Sequence, residues 1–384
     1  MGDVVKQKKR WFLKAEIAVL LCIVCIGIVR LALVDIDSTK AAVYRQVVKL
    51  RPNSADAYNR LGDACSNLPD YAQAIDAYEK AIQIDPCDSQ AYCNLASVYL
   101  SLSRYEDAKK AARKAIRVDP SNAKAYLLFG DASYDSNCPQ EAIKSYEEAV
   151  RVQPDSFDAH LTLGDLYYGL ERYKEAIDHF KQAVTIRPDN AWSHTCLGLA
   201  YFDSDDYEMA AETFKKAISL EPDNPVSHFM LGRAYYRLDC YEEAAESFKE
   251  AIKIDSNSFY AYLHLGFCYF SLDRHEESIE VTKQAIGIYP NYAYSYMCLG
   301  DDYFELSHYE EAVEAYERFF QMDDEPDFKD SSTYAETRHC LGQAYLKTGD
   351  KKSALEQYEI LKTLDEELAG ELFSLIHEPQ KSIK

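Results

Sequence analysis

Small residues return along this chain with a fixed period. Glycines stand at Gly62, Gly130, Gly164, Gly198, Gly232, Gly266 and Gly300, Ala96 fills the one gap, and the spacing is 34 residues. A second small residue follows each, at Ala74, Ala108, Ala142, Ala176, Ala210, Ala244, Ser278 and Ala312, and a proline closes most units, as at Pro86, Pro120, Pro154, Pro188, Pro222 and Pro290. Apolar positions between them fall at helical spacing, which predicts two helices per unit. The residue before each proline disfavours helix and ends the second one. Asn, Ser or Asp just after it caps the next, as Asn190 and Asn224 would.

Each recurring residue has a packing reason. Numbering a unit from seven residues before its glycine, Gly or Ala at position 8 and Ala at position 20 let two helices approach closely. Tyr at position 11 and Tyr or Phe at position 24 fill the space beside them, and Ala at position 27 (Ala81, Ala115, Ala149, Ala183) admits the next unit. With phrases such as Tyr173-Lys174-Glu175-Ala176-Ile177, the chain resembles tetratricopeptide repeat proteins. The resemblance implies an all-α, right-handed superhelical solenoid of about nine helical hairpins, beginning at Ala55, Ser89, Ala123, Phe157, Ala191, Pro225, Phe259, Ala293 and Ala335. The expected organisation is a half repeat over 40–54, the repeats over 55–364, and a capping helix and tail over 365–384. Eight extra residues separate Gly300 from Gly342, placing an exposed acidic insertion at about 323–334. Phe319 stands where alanine is the rule, so the eighth–ninth junction is expected to splay.

The amino terminus breaks the pattern. Ile17 to Val34 is apolar except for Arg30 and follows a basic segment, 1–16. As a helix of 17–34 it spans about 27 Å, the reach of a transmembrane signal-anchor. The positive-inside rule then leaves the amino terminus cytoplasmic and the repeats extracytoplasmic. The nine cysteines beyond it are an odd number scattered over repeat positions, which suits a reducing compartment and keeps cytoplasmic repeats open as the alternative.

Positions 5, 9 and 12 of a unit share one helix face, and the resemblance places that face on the concave, partner-binding wall. Position 12 reads Tyr134, Tyr168, Phe202, Tyr236, Phe270 and Phe304; position 5 adds Leu127, Leu161, Phe229, Leu263 and Met297; position 2 adds Trp192, Tyr260 and Tyr294. Asp131, Asp165 and Asp301 edge the stripe with acid, and Arg233 and Arg237 interrupt it. The stripe reads either as a groove for extended or helical protein segments or as rings stacked between neighbouring first helices.

Composition narrows the function. Six basic and two acidic side chains in residues 1–34 leave 36 basic and 62 acidic ones, a net of −26, for residues 35–384. That surface repels phosphate backbones and argues against nucleic acid. His160, His194 and His228 recur every 34 residues, but equivalent residues on adjacent helices stand about 8–10 Å apart and cannot share one ion, so they read as packing residues. The Lys and Asn of the family's peptide-carboxylate clamp are missing from positions 5 and 9. No phosphate loop, nucleophile elbow or zinc signature appears, so neither enzyme nor cofactor is expected. The leading expectation is a membrane-anchored interaction scaffold for protein or peptide segments. The alternative is a carrier or holdase for an apolar ligand or unfolded segment.

Overall fold

The computed structural model describes residues 37–322 and 332–377. The chain divides into two compact units, Met1–Glu171 and Arg172–Lys384. The first contains α1 (37–50), α2 (Ala55–Asn67), α3 (Tyr71–Ile84), α4 (Ser89–Ser101), α5 (Tyr105–Val118), α6 (Ala123–Asp135), α7 (Pro139–Val152) and α8 (Phe157–Gly169). The second contains α9 (Tyr173–Ile186), α10 (Ala191–Asp203), α11 (Tyr207–Leu220), α12 (Pro225–Arg237), α13 (Tyr241–Ile254), α14 (Phe259–Ser271), α15 (His275–Ile288), α16 (Ala293–Glu305), α17 (Tyr309–Gln321), α18 (Ser332–Thr348), α19 (Lys351–Leu364) and α20 (Glu366–His377). Among the described residues there is no strand. The even-numbered helices α2 to α18 are the first helices of the hairpins.

Local chemistry starts and stops these helices. The side chains of Asn190 and Asn224 accept the backbone N–H of Ser193 and of Val226 and Ser227, capping α10 and α12 as expected. The turn inside the hairpin was not anticipated from sequence. Its position 15 sits in the left-handed region at Ser103, Asn137, Glu171, Asp205, Asp239, Asp273, Ser307 and Gly349, with φ from 55° to 89°. In hairpin seven the Asp273 N–H donates to Phe270 O (3.0 Å) and the Arg274 N–H to Tyr269 O (2.8 Å), a left-handed helix stop. Only glycine takes that conformation freely, so Asp, Asn or Ser there was the available signal.

The core of a hairpin is a ring set into a notch. A Cβ on Gly198 would lie 2.7 Å from the Phe214 ring, and one on Gly232 2.8 Å from Phe248. Gly62 and Tyr78, Gly130 and Tyr146, and Gly300 and Tyr316 pair the same way. Around the notch, alanines at positions 20 and 27, such as Ala74, Ala81, Ala210 and Ala217, have no exposed surface. At the last hairpin the notch of Gly342 receives Leu372 of α20, which is fully buried with Ala369 and Ile376 beside it.

The expected insertion falls mostly outside the described residues. Its end, 332–334, forms the first turn of α18, where buried Tyr334 meets Phe320 at 5.1 Å and Phe319 at 6.4 Å. Phe319 is 1% exposed and Arg338 lies 3.6 Å above the Phe320 ring. Rings replace the usual alanine contact there, and the junction is filled rather than splayed. Cys65, Cys93, Cys196 and Cys268 are buried as small hydrophobes, whereas Cys87 and Cys138 are exposed; no disulfide joins any of the nine described cysteines.

The expected membrane placement is corrected. No described helix is long and apolar enough to cross a membrane. The physical reason is length: the described repeat helices reach at most 17 residues, short of the roughly 20 apolar ones a span needs. The run 17–34, which carried both placements of the repeats, lies outside the described residues, as does the basic segment 1–16.

Notch packing gives glycines opposite sensitivities. Gly198→Ala should lower unfolding stability by about 1–3 kcal/mol through ring displacement. Gly287→Ala, where a Cβ meets nothing within 4 Å, should raise it by up to about 1 kcal/mol. Urea unfolding of both variants checks the contrast, and equal effects would contradict notch packing.

Candidate functional site

The position-12 rings stand on the last turn of each first helix, where the hairpin turn holds the backbone. Four of them lean edge-on against the aromatic side chain at position 17. Phe202 meets Tyr207 at 5.3 Å, Tyr236 meets Tyr241 at 5.4 Å, Phe270 meets His275 at 5.2 Å and Phe304 meets Tyr309 at 5.4 Å. One ring edge of each is thus taken up by packing within its own hairpin.

In the first unit Tyr134 is 54% exposed, and Leu127, Leu161 and Tyr168 are half-buried. Tyr134 lines a cavity of about 430 Å³ with Leu100, Asp131, Asp135, Tyr146, Thr162, Asp165 and Leu166. The Tyr146 hydroxyl donates to Asp131 at 2.7 Å, and burial pushes the Asp131 carboxyl above its usual range.

In the second unit Trp192, Tyr260 and Phe270 are exposed, while Phe229, Tyr236, Tyr294, Met297 and Phe304 are half-buried. Phe202 and Leu263 are buried instead. The Arg233 guanidinium covers the Phe202 face at 4.6 Å, and Leu263 packs with Phe259 and Ala285. A second cavity of about 430 Å³ brings together Phe202, Tyr236, Phe270, Tyr294 and Met297 from four successive first helices. Trp192, Phe229, Tyr260, Leu263 and Phe304 stay outside its lining.

That cavity has a polar side the stripe did not foretell. Arg233 and Arg237 line it from α12; His264 and Ser271 from α14; Cys298, Asp301 and Asp302 from α16; Ser278 from α15. Arg237 also pairs with Asp205 at 3.5 Å and lies 4.3 Å above the Tyr207 ring. Asp302, with no exposed surface, receives the Ser278 hydroxyl at 2.6 Å and faces His275 Nδ1 at 3.0 Å. Burial raises it to about 6. Asp301 accepts the Tyr316 hydroxyl at 2.7 Å, and burial, with Asp302, Glu305 and Glu336 nearby, raises it to about 7. His264 stacks on Phe248 at 5.5 Å; burial, aided by Arg233, holds it down to about 4, and its Nδ1 has no partner.

Ser278 and His275 both address Asp302, so the histidine does not stand between serine and carboxylate as nucleophile activation requires. Among the described residues no group of three or more His, Cys, Asp or Glu side chains is placed to hold a metal. The recurring histidines have another task. His160, His194 and His228 direct Nε2 to the carbonyls of Pro154, Pro188 and Pro222 at 3.0, 3.0 and 2.9 Å. Tyr296 donates to Pro290 O at 3.1 Å in the same position. They tie the loop before each first helix to that helix.

Family models described as "TPR repeat" and "Tetratricopeptide repeat" match residues 130–171, 164–205 and 198–239, and 55–86, 89–122, 225–258 and 259–292 respectively. Together they cover more than half of the chain. No curated protein matches it. Among solved structures, the C-terminal part of a TPR repeat-containing protein from Cytophaga hutchinsonii is similar. It has 18% identity and a TM-score of 0.54 over 62% of this chain and 98% of that one. The pilF protein of Pseudomonas aeruginosa aligns at 21% identity and TM-score 0.45 (57% and 96% covered). YrrB, titled a TPR protein with an unusual peptide-binding site, aligns at 22% and 0.40 (49% and 96%). At these identities the likeness concerns the fold alone.

Burial of Asp301 has a sign that can be measured. The folded chain holds its proton up to about 7, while the unfolded carboxyl loses it near 3.8. The folded state therefore binds more protons between these values, and this residue's contribution to stability falls as pH rises through that window. Asp301→Asn keeps an acceptor for Tyr316 and removes the titration. Its stability relative to the parent should grow between pH 4.5 and 8 by on the order of 1–3 kcal/mol. Denaturant unfolding at both pH values tests this, and a pH-independent difference would refute it.

Proposed function

Because the chain belongs to the tetratricopeptide repeat family, we propose that it is a protein-interaction scaffold whose first-helix face binds extended or helical segments of partner proteins. The observation that carries this reading is the second-unit cavity. Five of the aromatic and apolar stripe residues meet there around a space of about 430 Å³, and aromatic side chains with one buried edge and one free face make strong anchors. Charge sets its selectivity. Arg233 and Arg237 on one wall and Asp301 and Asp302 on the other favour a peptide with polar groups over a purely apolar cargo, which argues against a lipid or prenyl carrier. The arrangement at Asp302 and the repeat architecture favour binding over catalysis.

A photo-crosslinking amino acid at Tyr294, compared with one at exposed Lys253 on α13, tests the reading in extracts of the native host. Tyr294 should capture a discrete partner protein that Lys253 does not, and Phe270→Ser should reduce that capture about tenfold or more. Equal capture at both sites, or none at Tyr294, would contradict the proposal.

A further inference from the structure

Position 8 and position 24 are matched within this chain. In hairpins one, three, five, six and eight the position-8 glycine has a ring in its notch, as in Gly198 with Phe214 and Gly300 with Tyr316, and in the last hairpin Leu372 of α20 fills it. Where position 8 is Ala96, position 24 is Ala112, and both are fully buried. Hairpin seven breaks the match. It keeps Gly266 but places Thr282 where the ring belongs, so a Cβ on Gly266 would meet Thr282 Oγ1 at 2.8 Å and no ring at all. Gly266 and Ser278 instead line the second-unit cavity.

Three further departures converge on the same place. Position 20 is Ser278 rather than alanine, position 17 is His275 where tyrosine is usual, and position 10 of the next hairpin is Asp302 where small or apolar residues stand elsewhere. They bond to one another, with Ser278 Oγ donating to Asp302 Oδ2 at 2.6 Å and His275 Nδ1 lying 3.0 Å from Oδ1. Simple space-filling would keep the ring; burying a carboxylate costs free energy and fixes acceptors beside the space the ring vacates.

We propose that this cavity is an anchor pocket for a phenolic ring, the tyrosine side chain of a partner segment, which takes the place of the absent position-24 ring and donates its hydroxyl to Asp301. The proposal rests on the scaffold reading above. The chain itself supplies a template for the pairing, because Tyr78, Tyr146 and Tyr316 each donate to the position-9 aspartate of their hairpin at 2.7 Å; hairpin seven has Phe267 at that position, so the guest hydroxyl is directed to Asp301, the position-9 aspartate of the next hairpin, which lines the same cavity. Charge selects the same ligand. A cation entering the pocket meets Arg233 and Arg237, an anion meets Asp301 and Asp302, and a neutral ring carrying a donor avoids both penalties. Burial, with Asp302, Glu305 and Glu336 nearby, pushes the Asp301 carboxyl upward, as befits an acid set into the wall of a cavity.

The test uses the full chain with p-cresol as the probe, and toluene and n-butylammonium as comparators, read by methyl NMR on methionine-labelled protein. p-Cresol should shift the Met297 methyl and show contacts to it, and toluene should bind at least about tenfold more weakly for want of the hydroxyl. Thr282→Tyr supplies the ring internally and should abolish p-cresol binding while leaving the melting temperature unchanged or higher. Equal binding of toluene, stronger binding of n-butylammonium, or p-cresol binding undiminished in Thr282→Tyr would overturn the proposal. Should that variant not fold, absence of p-cresol contacts to Met297 in the parent chain overturns it by itself. The probe needs no partner protein, so loss of cross-linking at Tyr294 with p-cresol binding intact would fault the scaffold reading alone.

Discussion

The close approach of an aromatic ring to a glycine that lacks a Cβ sets the geometry of most hairpins in this chain. It fixes the separation of the two helices, and with it where positions 9 and 12 of the first helix come to lie. It also places the tyrosine hydroxyl of position 24 within reach of the position-9 aspartate, so one packing choice sets both a hydrophobic contact and a buried hydrogen bond. Most units repeat the solution, and neighbour-to-neighbour packing of this kind makes an array stable as a sum of local terms. A change at one notch is therefore felt mainly in its own hairpin and the next.

That locality lets hairpin seven differ. In a single globular core, replacing a central ring by threonine leaves a void that neighbours fill poorly. Here the rings of Phe214 and Phe248 in the preceding hairpins and Tyr316 in the following one stay fully or almost fully buried, while Gly266 and Ser278 of hairpin seven line the second-unit cavity. The four departures at Thr282, Ser278, His275 and Asp302 occupy one site in space though they are spread over 28 residues of sequence.

Sequence periodicity was enough to read the hairpins, because glycine, alanine and proline at fixed spacing each have one steric explanation. It was also enough to pick out most of the cavity's apolar wall, since helical spacing puts positions 5 and 12 on one face. It did not separate exposed rings from covered ones. Phe202 and Phe270 hold the same repeat position, yet Arg233 covers the first and leaves it 4% exposed, while the second is 38% exposed. That difference depends on a side chain one repeat away, which a period-based reading treats as interchangeable. The histidine series shows the reverse. Its spacing reads as packing, and its actual partners, the proline carbonyls, are backbone atoms that no side-chain pattern displays.

Departures from a repeat carry more functional information than the repeat does. Consensus positions answer to packing that every hairpin shares, so they say little about what one hairpin binds. A residue that breaks the rule costs stability unless something nearby compensates, and compensation by hydrogen bonds rather than by volume leaves a polar space. Asp302 is the clearest case. As an alanine it would serve the stack as Ala234 does, fully buried against its neighbours. As an aspartate it has Ser278 and His275 to hold its oxygens, next to the hairpin in which Thr282 stands where a ring is usual. The four residues make physical sense together and little sense singly, which marks hairpin seven as the place where this array departs from being only a stack.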